Sequence, residues 1–190
     1  MEFRDLVLKT RSYRRFRESE AIPPETLRAL VDLARQSASA ANLQPLKYIL
    51  SADPGKNAKI FPHLGWAGYL EDWPGPVEGE RPAAYIIILC DTRISRTSGC
   101  DHGIAAQTIL LGAMEQGIGG CMVGSINTDG LRAELEIPEA YQVRLVLALG
   151  KPDEEVVLET IRPGGDVRYW RDDKGVHHVP KRPLDEIIVG

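Results

Sequence analysis

Apolar positions recur at helical spacing after residue 24. Leu27, Leu30, Val31 and Ala34 share one face, and Pro23-Pro24 suits the helix entry, so a helix is predicted that ends near Ser37. A short helix over 3–9 is predicted from Phe3, Leu6 and Val7. Tyr48, Ile49 and Leu50 read as a strand. Asp53-Pro54-Gly55 then reads as a turn, opening a helix toward Phe61. Residues 83–90 (AAYIIILC) form a continuous apolar run, which predicts a central strand covered on both faces. The longest helix is predicted over about 101–117, with Asp101 as its cap. Its apolar positions go nearly all the way round, so both faces need cover, one of them from a second subunit. Strands follow over 119–126 and 143–150, with a helix from Asn127 or Thr128 to Glu136 between them. The remainder reads as a polar tail with a hairpin, Tyr169–Val179 around Lys174-Gly175, and a last helix over 184–189.

Residues 62–80 break the pattern. They carry three prolines, four glycines, Trp66, Tyr69 and Trp73. Such a segment is either a packed surface loop or a lid over a flat ligand. The length, 190 residues, fits one domain spanning 1–190, and no internal repeat interrupts it.

The formal net charge of -4 disfavours a nucleic-acid partner, because phosphate-backbone affinity needs an excess of Lys and Arg. No apolar run reaches the ~20 residues of a membrane span, and the start of the chain lacks the apolar core of a secretory signal. Cys90, Cys100 and Cys121 are odd in number and form no CxxC, which points to reduced thiols and a cytoplasmic location. The neighbours Cys100, Asp101 and His102 hint at a cysteine nucleophile only if the fold makes them face one another. His177 and His178 are consecutive on a predicted strand and point to opposite faces, so no metal site is expected from them. There is no P-loop, GxSxG elbow or GxGxxG after a first strand.

Four short constellations carry candidate chemistry. Arg11, Ser12 and Arg14 can aim two guanidinium forks and a hydroxyl at one phosphate, or form a solvated basic stretch. Ser39, Asn42 and Gln44 offer donors and acceptors in a loop of small residues, which is also what a helix C-terminal loop looks like. Gly124, at the end of Cys121–Ser125, leaves a backbone N–H that no side chain obstructs, or marks a strand end. Lys181-Arg182 can add positive charge to a phosphate site, or lie exposed in a tail.

The order of these pieces resembles the FMN-dependent nitroreductase family. The resemblance runs through Arg11-Ser12-x-Arg14-x-Phe16, Ser39-x-x-Asn42-x-Gln44-Pro45, His102-Gly-x-Ala-x-Gln107, Leu147-x-x-Gly150-x-Pro152 and Lys181-Arg182-Pro-Leu. It implies an α+β fold, a three-layer α-β-α sandwich around a mostly antiparallel sheet. It also implies a homodimer of domain-swapped type, with two flavin sites at the subunit interface. Arg11, Ser12, Arg14, Lys181 and Arg182 then surround the FMN phosphate, ribityl chain and pyrimidine edge. Ser39 and Asn42, with Gln44 in the same loop, reach across from the other subunit. Val123 and Gly124 lie beside the ring, Gly124 next to N5. The chain departs from the family at Ala38, where Pro is frequent, and the aromatic segment differs among subgroups.

The implied activity is hydride transfer from NADH or NADPH through flavin N5 to a small oxidised organic acceptor such as a nitroaromatic or quinone, by a ping-pong scheme. Arg14 and Gly124 are the expected catalytic contacts, Arg14 by stabilising negative charge near N1 and O2. Trp66, Tyr69 and Trp73 are candidates to stack on an aromatic substrate. The alternatives are a flavin-consuming or dehalogenating relative, a non-catalytic flavin-binding or redox-sensing protein, and a dimeric scaffold without flavin.

Overall fold

The computed structural model describes residues 2–190. The chain opens with α1 (Phe3–Lys9) and α2 (Pro24–Arg35), followed by a short 3-10 turn at Ala40–Asn42. Next come β1 (Leu46–Ser51) and α3 (Pro54–Ile60), whose cap is Asp53, accepting from the Lys56 N–H at 2.7 Å. β2 (Ala84–Asp91), α4 (Asp101–Glu115), β3 (Gly119–Val123), α5 (Thr128–Glu134) and β4 (Tyr141–Gly150) complete the central body.

Four antiparallel strands form one sheet in the order β1-β2-β4-β3. Its inner strands alternate between two apolar layers, as a two-residue side-chain period requires. Ile86 and Ile88 of β2, with Leu147 and Leu149 of β4, pack on Leu27, Leu30 and Ile109 of α2 and α4. Tyr85, Ile87 and Leu89, with Val146 and Ala148, pack on Ile60 and Leu131 of α3 and α5. The unbroken apolar run in β2 therefore reflects cover on both faces, and the result is the expected three-layer α-β-α arrangement.

Several boundaries differ from the sequence reading. The strand expected over 119–126 stops at Val123, and the last helix, α6, spans Leu184–Ile187. Asp101 is the first residue of α4 rather than its cap. Its buried carboxylate instead accepts from Ser39 Oγ at 2.6 Å and from the Ala40 N–H at 3.0 Å. α4 buries one broad stripe on α2 and the sheet, while Ile104 stays 40% exposed.

The largest correction concerns the tail. β5 (Val156–Thr160), β6 (Trp170–Arg171) and β7 (His177–Lys181) build a second sheet in the order β5-β7-β6. The hairpin around Lys174-Gly175 is present, with Gly175 at φ +81° and its N–H donating to Asp172. β5, however, pairs parallel with β7, which a local pattern cannot announce. Among the described residues no helix is long and apolar enough to cross a membrane.

Candidate active site

The basic segment after α1 is pinned to the main sheet by its backbone. Ser12 bridges Gly120 on β3, and the Tyr13 N–H donates to the Gly120 carbonyl at 3.0 Å. Phe16 is fully buried beneath Gly150, where an added Cβ would come within 2.8 Å of the ring. Beyond Gly150, Glu154 Oε1 accepts from the backbone N–H groups of Arg14 and, at 3.2 Å, Arg15. Its Oε2 accepts from Arg171 Nη2 at 2.8 Å. Residues far apart in sequence thus fix the direction in which Arg11, Ser12 and Arg14 leave the backbone.

These residues line a hollow of about 320 Å³, with Met122, Tyr169, His177 and Lys181 completing much of its wall. A second hollow, about 270 Å³, adjoins it and shares Arg14, Met122 and Tyr169. Val123, Gly124, Ser125 and Trp66 line that second space. A Cβ at Gly124 would meet nothing within 4 Å, and its φ lies outside the left-handed region. Neither packing nor backbone conformation therefore demands glycine at this position.

Arg14 is ordered by uncharged neighbours. Its Nη1 donates to the Ser12 carbonyl at 3.3 Å and faces His177 Nε2 at 3.1 Å, and its guanidinium lies 4.8 Å from the centre of the Tyr169 ring. Burial, reinforced by Arg14, Arg171 and His178, pushes His177 down to about 4, so its ring is neutral at pH 7. His178 points the other way. It stacks on Trp170 at 4.0 Å and bonds Glu159 at 2.6 Å, and that contact raises its pKa.

The remaining candidates divide. Lys181 reaches the first hollow, whereas Arg182 pairs with Glu186 on α6. Ser39 and Gln44 line a separate small cleft beside Asp101, and Asn42 Oδ1 accepts from Gln44 Nε2 at 3.1 Å. Within one chain this loop does not join the Arg14 hollow. It is nevertheless unusual, since Ala41, Asn42 and Gln44 all have positive φ, a costly conformation for such residues. Of the aromatic segment, Trp66 packs on Phe61 at 5.8 Å and lines the second hollow. Tyr69 rests on Tyr169 at 4.9 Å, and Trp73 lies under the Arg171 guanidinium at 4.2 Å. Cys100 is exposed, but Asp101 is engaged by Ser39 and His102 by Ser98, so the three do not form a catalytic group. Among the described residues no cluster of three His, Cys, Asp or Glu could hold a metal ion.

Sequence reasoning missed Glu154, Tyr169, Arg171 and His177. Each lies in the stretch read as a polar tail. The one available signal was the hairpin itself, which placed Tyr169 and His177 on adjoining strands.

With the geometry in view, the family model described as the Nitroreductase family matches residues 7–151. The chain belongs to the Nitroreductase family. This nitroreductase-family chain is 24% identical to a protein of Thermus thermophilus named NADH dehydrogenase, over 90% of this chain and 97% of that protein. Among solved structures it resembles an FMN-dependent nitroreductase of Clostridium difficile, with a TM-score of 0.64 and 23% identity, covering 79% of this chain and 87% of that one. It also resembles a nitroreductase family protein of Streptococcus pneumoniae, with a TM-score of 0.71 and 18% identity over the whole of both chains. Tyr169, His177 and Lys181 of this nitroreductase-family chain lie beyond the matched residues.

Proposed function

We propose that this chain is an FMN-dependent oxidoreductase that takes hydride from NADH or NADPH and delivers it to a small oxidised organic acceptor, a nitroaromatic, quinone or similar compound. The observation that carries the reading is the pair of adjoining hollows that share the wall Arg14–Met122–Tyr169. One is walled by Arg11, Ser12 and Lys181, groups suited to a phosphate and a polyol chain. The other ends at Gly124, whose surroundings leave room for a ligand to meet the backbone.

The residues therefore fit FMN. Arg11, Ser12 and Lys181 would hold its phosphate end, Arg14 its pyrimidine edge, and Val123 and Gly124 its ring. Bound there, the flavin supplies two-electron hydride chemistry that no side chain here can supply. Arg14 offers a positive charge in a partly buried place, where it favours an anionic ligand far more than it would in water. Trp66 and Tyr169 form aromatic walls of the second hollow. No general base is required of the protein, since solvent can deliver the remaining proton.

A homodimer belongs to the same reading. Phe3 at 70%, Leu184 at 66% and Ile104 at 40% exposure leave apolar surface on and beside α4 and the ends of the chain. A second subunit covering that surface could bring its Ser39–Gln44 loop to this hollow.

The test is direct. The purified protein should be yellow, lose its colour anaerobically on titration with NADH or NADPH, and regain it on adding a quinone or nitroarene. Colourless protein that takes up no FMN would sink the proposal. Flavin that neither nicotinamide reduces would leave a binding protein rather than an enzyme.

A further inference from the structure

Arg14 is oriented without being neutralised. The carboxylates of this region are engaged elsewhere, Glu80 by Arg15 at 3.1 Å and Glu154 by Arg171 at 2.8 Å. Among the described residues no carboxylate pairs with the Arg14 guanidinium. What holds it is the Ser12 carbonyl, the face of Tyr169 and one ring nitrogen of His177.

A guanidinium can only donate. His177 Nε2, 3.1 Å from Arg14 Nη1, must therefore present its lone pair, and the ring hydrogen sits on Nδ1. That Nδ1 is buried and has no partner, in a residue that is 1% exposed. An unpartnered buried N–H is a cost, and a phenylalanine at this place would avoid it. Stability alone thus argues against histidine here. Its contact with Arg14 is the one polar contact its ring makes.

We infer that His177 is a positioning residue for Arg14, a neutral acceptor that fixes where the guanidinium points while leaving its whole positive charge to the group bound in the hollow. The inference rests on the flavin reading above. An aspartate or glutamate in this place would aim Arg14 equally well but would cancel the charge that favours a reduced, anionic ring. A purely apolar residue would preserve the charge but remove one of the three contacts that hold the side chain in one rotamer, leaving the Ser12 carbonyl and the Tyr169 face, which weakens binding.

Three measurements test this. In flavin-free wild-type protein at pH 7, nitrogen-15 NMR of the imidazole should show Nδ1 protonated and Nε2 bare. His177→Phe should stay folded, bind FMN about tenfold more weakly, and lose about tenfold in its preference for reduced over oxidised FMN, which is about 30 mV for a two-electron couple. His177→Gln, whose amide oxygen can still accept, should stay within about threefold of wild type in both. A ring protonated at Nε2, or on both nitrogens, would overturn the inference. So would a folded His177→Phe protein with unchanged affinity and potential. A wild-type protein that takes up no FMN would fail the flavin reading instead, and the ring tautomer would still decide the Arg14 contact.

Discussion

The Arg171 guanidinium lies over the Trp73 ring, 4.2 Å from its centre, while its Nη2 donates to the buried carboxylate of Glu154 at 2.8 Å. The other oxygen of that carboxylate holds the backbone of Arg14 and Arg15. One buried pair thus ties the aromatic segment, the second sheet and the basic motif together. Removing Glu154 leaves Arg171 charged, largely buried and without its partner, and frees two backbone donors. Glu154→Ala should therefore destabilise the protein by about 3 kcal/mol and weaken FMN binding, as read from urea denaturation and a fluorescence titration.

Gly124→Ala separates stability from function. An added Cβ meets nothing within 4 Å and the backbone is not left-handed. The flavin-free variant should be as stable as wild type or up to about 1 kcal/mol more stable, because alanine restricts the unfolded chain. Its kcat/KM should fall at least about tenfold, because the methyl group intrudes where the ring is proposed to meet the backbone. Stopped-flow reduction and thermal unfolding of the same preparation check both halves.

Arg11→Ala combined with Arg14→Ala should yield colourless protein that still dimerises. Arg11 lines the first hollow and Arg14 lines both, and neither anchors the sheet. Absorbance and light scattering of one chromatographic peak measure the two properties together. Full FMN retention would refute the cofactor assignment.

His177 makes stability depend on pH in a defined direction. Its pKa is about 4 in the folded protein against 6.5 as the ordinary value. Between those values the unfolded chain binds the proton more readily, so stability falls as pH drops from about 6.5 to about 4 and flattens below. The full effect is up to roughly 3 kcal/mol. Denaturation curves at pH 7 and pH 4.5 should differ by less in His177→Phe than in wild type.

Asp101→Ala tests the left-handed loop. It removes the acceptor for Ser39 Oγ and the Ala40 N–H, which hold Ala41, Asn42 and Gln44 in a costly conformation. A loss of about 2 kcal/mol in stability is expected. If the loop serves the neighbouring subunit's site, FMN affinity should fall as well, although Arg14 is intact.

The central body was legible from sequence because its signals are local. Leu27, Leu30 and Ala34 repeat with the helical period and are the residues that α2 buries. The run from Ala84 to Cys90 needed cover on both faces and received it. Arg11, Ser12 and Arg14 stood out by charge and spacing, and the fold brings them to one hollow. Of the second sheet only the hairpin was legible; β5 was not, because Val156–Thr160 is short, ends in polar residues and pairs with a strand that begins about twenty residues later. Nor could any local pattern reveal that Glu154 would hold the Arg14 backbone, or that His177, 163 positions away, would aim its side chain. Periodicity states which face of an element is buried. Which buried charge meets which depends on the packing of distant segments, and only the tertiary structure decides that.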